Sequence, residues 1–290
     1  MTEFTAQSRL TKVNVNTLRF FRTPKGLLII VLSMLMAIAA TGTGIAIVAP
    51  GIFAAALVAM LVDAPILRYR EGEWQFPSGA LLTGMLVAMI LTPHEHWYYA
   101  AFTSLIAVLS KYVARTRSAN VFNPAAVAIV ATYFMFRTGQ SWWGALPELA
   151  PFAIVMLFAT GIFITQRVNK FPAVLAFLGV YFLLCTLATF VADPAHVTGL
   201  FRAPDVHAAL FFAFFMVTDP PTSPPKQRDQ LIFGIIVAVV SFFTYEFVRN
   251  SVYFLLAGLL VGNAWEAWRR GYHRRMRKIS AGRNSAAAAV

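Results

Sequence analysis

The chain has 290 residues, of which 59% are hydrophobic and only 12% charged, with a mean hydropathy of +0.67 and a formal net charge of +12. A soluble domain carries about 25% charged residues, so this chain cannot cover a surface exposed to water. The composition also excludes a nucleic-acid-binding reading of the basic pI, and the lone Cys185 excludes an intrachain disulfide or a cysteine-ligated cluster.

Residues 1–25 are polar and basic, with Arg9, Lys12, Arg19, Arg22 and Lys25. They run into apolar sequence of membrane length, so they read as a retained segment and not as a cleaved signal. A hydrocarbon core about 30 Å thick takes roughly 20 helical residues, and spanning backbone must satisfy its own hydrogen bonds. Ten segments are predicted to be helical spans: 26–43, 45–62, 78–92, 97–113, 121–136, 151–166, 171–191, 206–218, 230–248 and 251–268. The expected organisation is a basic segment 1–25, one transmembrane domain 26–268 with halves at about 26–136 and 151–268, and a basic cytoplasmic tail 269–290.

Charge placement tests this count. Twenty-one of the 24 Lys and Arg residues fall on one side of the alternation, and only Arg137, Arg202 and Arg249 on the other. The positive-inside rule then puts both termini in the cytoplasm. Trp74, Trp97, Tyr98, Tyr99, Trp142 and Trp143 fall near predicted helix ends, as interfacial aromatics do.

The third and eighth spans are too short for a straight crossing. One closes at Pro93, the other at Asp219-Pro220-Pro221. If the chain is two five-span halves, both are the third element of a half. An odd number per half inverts the second half, and short paired elements in an inverted repeat point to a midplane site. Two short apolar helices that end at Pro because Pro ends helices would look the same.

Polar residues inside such a chain each need a reason. Asn123-Pro124 reads as a helix start, since Asn caps and Pro suits the first turn. Asn120, three residues earlier, is not explained that way, and two amides a turn apart can pair with a heteroaromatic ring. Thr83 either back-bonds to its own helix or faces the pseudo-symmetric site. Asp219 either caps the next turn, pairs with Lys226 or Arg228, or accepts a hydrogen bond from a ligand. Asp63 and Glu266 read as interfacial. Glu246 reads as a local partner of Arg249, and His94, Glu95 and His96 as a solvated loop with no metal set. Cys185 reads as a small packing residue. No nucleotide-binding loop is present.

Four blocks carry a family resemblance: Thr83-Gly84-Met85-Leu86-Val87-Ala88-Met89 with Thr92-Pro93; Ser110-Lys111-Tyr112; Asn120-Val121-Phe122-Asn123-Pro124-Ala125; and Phe214-Phe215-Met216-Val217-Thr218-Asp219-Pro220 with Thr222-Ser223-Pro224. In order and spacing the chain resembles the NqrB/RnfD family over about residues 75–265. These are membrane subunits of sodium-pumping NADH:quinone oxidoreductase and Rnf electron-transport complexes. The resemblance implies an all-α, urea-transporter-like fold of ten helices in two inverted five-helix halves. It also implies flavin chemistry. The family carries FMN as a phosphoester on an outer-loop threonine, and the nearest match, Gly144-Ala145-Leu146-Pro147, has Leu146 at that position. A hydrocarbon forms no phosphoester, and Thr138, the other threonine of that loop, lacks the flanking residues, so covalent FMN is not expected. A noncovalent flavin, riboflavin or FMN, is expected on the cytoplasmic side, held by residues that map to Thr83, Asn120 and Asn123, with Asp219 shaping the mouth.

The expected function is a membrane flavoprotein subunit that passes electrons within the bilayer, with redox proteins as partners and ion movement as a family expectation. The rival is a small-solute or ion transporter or channel on the same inverted-repeat fold, without redox activity. No catalytic residue is assigned.

Overall fold

A computed structural model describes residues 19–116, 119–149, 152–190, 199–248 and 252–287, with the side chains of Phe152 and of 277–287 excepted. Among these residues the chain is all helical, with isolated bridges only at Leu91–Gln140 and Arg115–Asn120. Ten α-helices of at least eleven residues follow one another: α1 (Pro24–Thr43), α2 (Ile45–Glu71), α3 (Ser78–Ile90), α4 (Trp97–Val113), α5 (Pro124–Phe136), α6 (Phe152–Val168), α7 (Phe171–Ala188), α8 (Asp205–Phe215), α9 (Gln227–Phe247) and α10 (Phe254–Ala287). Each overlaps one predicted segment. Four of them (α1, α2, α7 and α9) are long and apolar enough to cross a bilayer.

Local chemistry sets the boundaries. The Thr23 hydroxyl accepts the Gly26 N–H at 3.2 Å to start α1, with Pro24 in the first turn. One residue, Gly44, separates α1 from α2; its φ of +102° is open to glycine and strained for other residues. Pro50 lies inside α2 and does not end it. Two boundaries move relative to the prediction. α2 continues to Glu71, nine residues beyond the predicted end, and α10 continues unbroken from the bundle to Ala287, so the tail from residue 269 begins as helix. Nothing in 267–287 breaks it, apart from tolerated glycines.

The short third and eighth elements form the centre of the molecule. At about 1.5 Å per residue, the 13 residues of α3 and the 11 of α8 reach well short of a 30 Å hydrocarbon core. Nearly every side chain on both is buried, which is where a helix apolar on all sides must go. Gly84 lets α3 lie directly on α2: a Cβ there would sit 2.7 Å from the Ala55 carbonyl oxygen.

The neighbour relations of the first five helices recur in the second five. α1 packs on α3, α2 on α3 and α4, and α4 on α5; likewise α6 packs on α8, α7 on α8 and α9, and α9 on α10. Between the two sets, α1 meets α6 and α5 meets α10.

The loops sort to two ends. At one end Lys111 bonds Asp63, Asn263 bonds Asn123 and Thr222, Lys170 bonds Ser223 and Pro224, and Arg270 bonds Asn120 and Pro221. At the other, the Glu95 carboxylate accepts the Gly139 N–H, and Leu91 bridges Gln140. Segments assigned to opposite faces by charge thus lie at opposite ends.

Several single-residue expectations are corrected. Trp142 and Trp143 are not interfacial but buried; the Trp143 indole donates to the Ala88 carbonyl at 2.6 Å, a bond that lets a polar ring sit in the core. Trp74, Trp97 and Tyr98 are exposed. Asp63 and Glu266 are not interfacial either: both are fully buried and ion-paired. Glu95 is not simply solvated, since it caps Gly139. Arg249, the expected partner of Glu246, lies outside the described residues.

Candidate functional site

The end of the bundle that carries most of the basic loops encloses a cavity of about 560 Å³, within the ~300–1,000 Å³ typical of small-molecule sites. The starts of α1, α3 and α5 and the ends of α2, α4, α6 and α8 surround it. α3 therefore begins at the cavity and α8 ends there, so the two short helices run in opposite senses. Thr83, Asn120, Asn123 and Asp219, dispersed over 137 positions of sequence, all line this one cavity.

Their local roles differ. The Thr83 hydroxyl donates to the Gly79 carbonyl at 2.9 Å, the back-bond that costs a threonine least in an apolar helix; its oxygen can still accept. Asn123 caps α5, its Oδ1 taking the Ala126 N–H at 3.2 Å, and its side-chain N–H groups make no bond among the described residues. Asn120 makes none with its side chain among the described residues; its backbone holds it through Arg115 and Arg270. Asp219 does not pair with Lys226 or Arg228. Its carboxylate accepts the Thr222 hydroxyl at 2.7 Å, and its carbonyl accepts from the Ser223 N–H and hydroxyl, which folds the Pro-rich turn on itself. Burial pushes this carboxyl above its ordinary value, against the pull of the Thr222 hydrogen bond and of Lys170 and Lys25.

Charge enters the wall at Asp63 and Lys111. The Lys111 ammonium spans both Asp63 oxygens at 2.9 and 3.2 Å, and the Tyr112 hydroxyl donates to the same carboxylate at 2.5 Å. A buried carboxylate survives only if so saturated. Two of the three Lys111 protons are engaged, which leaves one donor on the cavity wall. The start of α3 adds to this: Pro77 supplies no side-chain cap, so helix N–H groups carry partial positive charge there.

A second set of polar residues holds the wall from behind, and sequence reasoning missed it. Asn263 is fully buried; its Oδ1 accepts the Asn123 N–H at 2.9 Å while its Nδ2 donates to the Thr222 carbonyl at 3.2 Å. Arg270 donates to the carbonyls of Pro221 and Asn120, at 3.1 and 3.4 Å, and lies 3.4 Å from buried Glu266. Arg269 links Glu266 to Asp229. Lys170, 4% exposed, donates to the Pro224 and Ser223 carbonyls at 2.6 and 3.3 Å. Burial lowers its ammonium to about 8, against the opposing pull of Asp219 and Glu266. An amide and a carboxylate so near an apolar run, Asn263 and Glu266, were the available signal. Lys170 offered none, since it reads as one more loop cation.

At the opposite end, His207 of α8 is buried with Nδ1 2.9 Å from the Ala145 carbonyl oxygen. Leu146 beside it is 1% exposed, and so is Thr138.

Chemically, the cavity presents apolar surface with hydrogen-bond donors and acceptors at its edges. That suits a planar, polar-rimmed ring better than an ion, which would want converging oxygens.

A family profile described as NQR2, RnfD, RnfE matches residues 21–148 and 143–265. The RnfD protein of the ion-translocating oxidoreductase complex of Pseudomonas aeruginosa (strain LESB58) is 26% identical over 247 residues, 65% of this chain and 72% of the relative. Its counterpart in Shewanella sediminis is 23% identical over 275 residues, 70% and 79%. That of Aliivibrio salmonicida is 29% identical over 99 residues, 33% and 28%.

Proposed function

The chain belongs to the NQR2, RnfD, RnfE family, and on that premise we propose that it is a flavin-holding subunit that passes electrons within an ion-translocating oxidoreductase complex of a bacterial inner membrane. The observation that carries this reading is the convergence of Thr83, Asn120, Asn123 and Asp219 on one cavity.

The residues present fit a noncovalent flavin. Among the described residues, Asn120 and Asn123 offer amides with no side-chain donor bond, Thr83 an acceptor and Lys111 a further donor. A bound isoalloxazine supplies the one- and two-electron chemistry; the protein supplies position and electrostatics. Asn120 and Asn123 would hold it by hydrogen bonds, apolar side chains such as Leu82 and Phe215 would keep water from it, and Lys111 with the α3 start would favour added negative charge. The outer end does not fit a phosphoester-bound FMN. Leu146 has no oxygen to esterify, and both it and Thr138 are buried.

The architecture is read as ten crossings in two inverted halves with both termini cytoplasmic. Recurrent helix neighbours, the opposed senses of α3 and α8, and the basic loops gathered at the cavity end support this. Donor and acceptor are then other chains, since no nucleotide motif is present.

Purified protein from flavin-replete cells tests the reading. A yellow sample, absorbing at about 450 nm as flavins do, that releases its chromophore on acid precipitation is the expected result. A colourless sample overturns it and favours the transporter reading of the same cavity.

A further inference from the structure

The polar residues of α10 that bond the backbone behind the cavity wall are spaced three and four apart. Asn263, Glu266 and Arg270 therefore share one side of the helix. Their bonds reach two segments that are remote in sequence and carry the wall residues. Asn263 accepts from the Asn123 backbone and donates to the Thr222 backbone. Arg270 donates to the Asn120 and Pro221 backbones. Glu266 sits between them in sequence; its carboxylate accepts from Arg269 and lies 3.4 Å from the Arg270 guanidinium as a charge partner.

Each link ties one segment to the other through a single side chain. A primary amide offers an acceptor and donors on separate atoms, and a planar guanidinium can fork to two carbonyls. All four contacts are to backbone, so they fix where the segments run without touching the cavity's occupant.

We propose that the Asn263–Glu266–Arg270 face of α10 is a positioning clasp, which locks the 120–123 segment to the 218–223 segment and thereby sets how fast the cavity releases its ligand. The identity of the ligand rests on the flavin reading; the clasp does not.

The test uses full-length protein in lipid nanodiscs, with riboflavin as the probe and hydrogen exchange as a second readout. In Asn263→Ala the Asn123 N–H and Thr222 carbonyl lose their partner in a buried place. Riboflavin release then accelerates about tenfold, the factor that corresponds to a buried hydrogen bond. Amide exchange rises in 119–123, the Asn123 amide itself included, and in 219–223, while α3 and α4 keep their protection. Arg270→Ala does the same. Arg270→Lys, which keeps the charge beside Glu266 but not the fork, falls between Arg270→Ala and wild type. Wild-type release and exchange in Asn263→Ala, or protection lost equally from α3 and α4, overturns the clasp. Should Asn263→Ala not fold, the Arg270 pair decides by the same criteria. If the wild-type protein takes up no riboflavin, the flavin reading fails and exchange alone judges the clasp: a rise confined to the two segments sustains it, and unchanged exchange rejects it.

Discussion

Two asparagines three residues apart do different work. Among the described residues Asn120 makes no side-chain bond, whereas Asn123 caps α5. Asn120→Ala should therefore reduce flavin content with no loss of thermal stability, and Asn123→Ala should reduce both, losing about 1 kcal/mol with the cap. Equal stability losses in the two variants would contradict this division. Lys170 gives a pH prediction. Its folded-state pKa is lowered from 10.5 to about 8. Between those values the unfolded chain holds a proton that the folded chain has lost, so this group makes stability rise with pH across that window. Lys170→Met, read by thermal melts from pH 7 to 10, should flatten that rise; an unchanged slope would show that Lys170 is not its source. The lateral reach of Lys170, to carbonyls more than fifty residues away, is what its sequence context did not reveal. Thr83, Asn120 and Asp219 were visible for the opposite reason: polar side chains stand out in an apolar chain.

Among the elements, the two short helices decide the architecture. Their shortness was legible because Pro marks their ends, and their burial followed from their uniform apolarity. Their closeness to neighbours was not legible, since it depends on glycines whose partners lie elsewhere in the chain. Gly84 is the sharpest case. Gly84→Ala places a methyl 2.7 Å from the Ala55 carbonyl oxygen, an overpacking that should cost about 1–3 kcal/mol. Because the contact is backbone and cannot turn aside, α3 must move off α2, and Thr83 moves with it. Lower melting temperature and weaker flavin retention together are expected. An unaltered melting temperature would mean that the helices separate freely. α10 shows the reverse error: an element expected to stop at the membrane surface runs on as helix, because nothing in the sequence that follows breaks it.

At the level of the whole molecule, the sorting of cations becomes a geometric statement about two ends. Single cysteines in a Cys185→Ala background test it. Tyr69→Cys and Trp268→Cys, both at exposed positions near the cavity end, should react with a membrane-impermeant thiol reagent only from the cytoplasmic side, and His94→Cys only from the other. Labelling of Tyr69→Cys and His94→Cys from the same side would refute the span alternation. The inverted-halves reading makes the cavity lie between the two halves, with α3 from one and α8 from the other.

From sequence alone, the chain was legible as a polytopic helical protein, with the places of its ten helices and its division into a cation-rich and a cation-poor face. These depend on composition, period and charge, which are properties of segments and need no partner. The meeting of Thr83, Asn120, Asn123 and Asp219 in one cavity, the burial of Asp63, Glu266 and the paired tryptophans, and the use of α10 to hold the cavity wall were decided only by the tertiary structure. The reason is that burial and hydrogen bonding are relations between segments. The Asn263 bond to Asn123 joins residues 140 positions apart, and no local pattern encodes its partner.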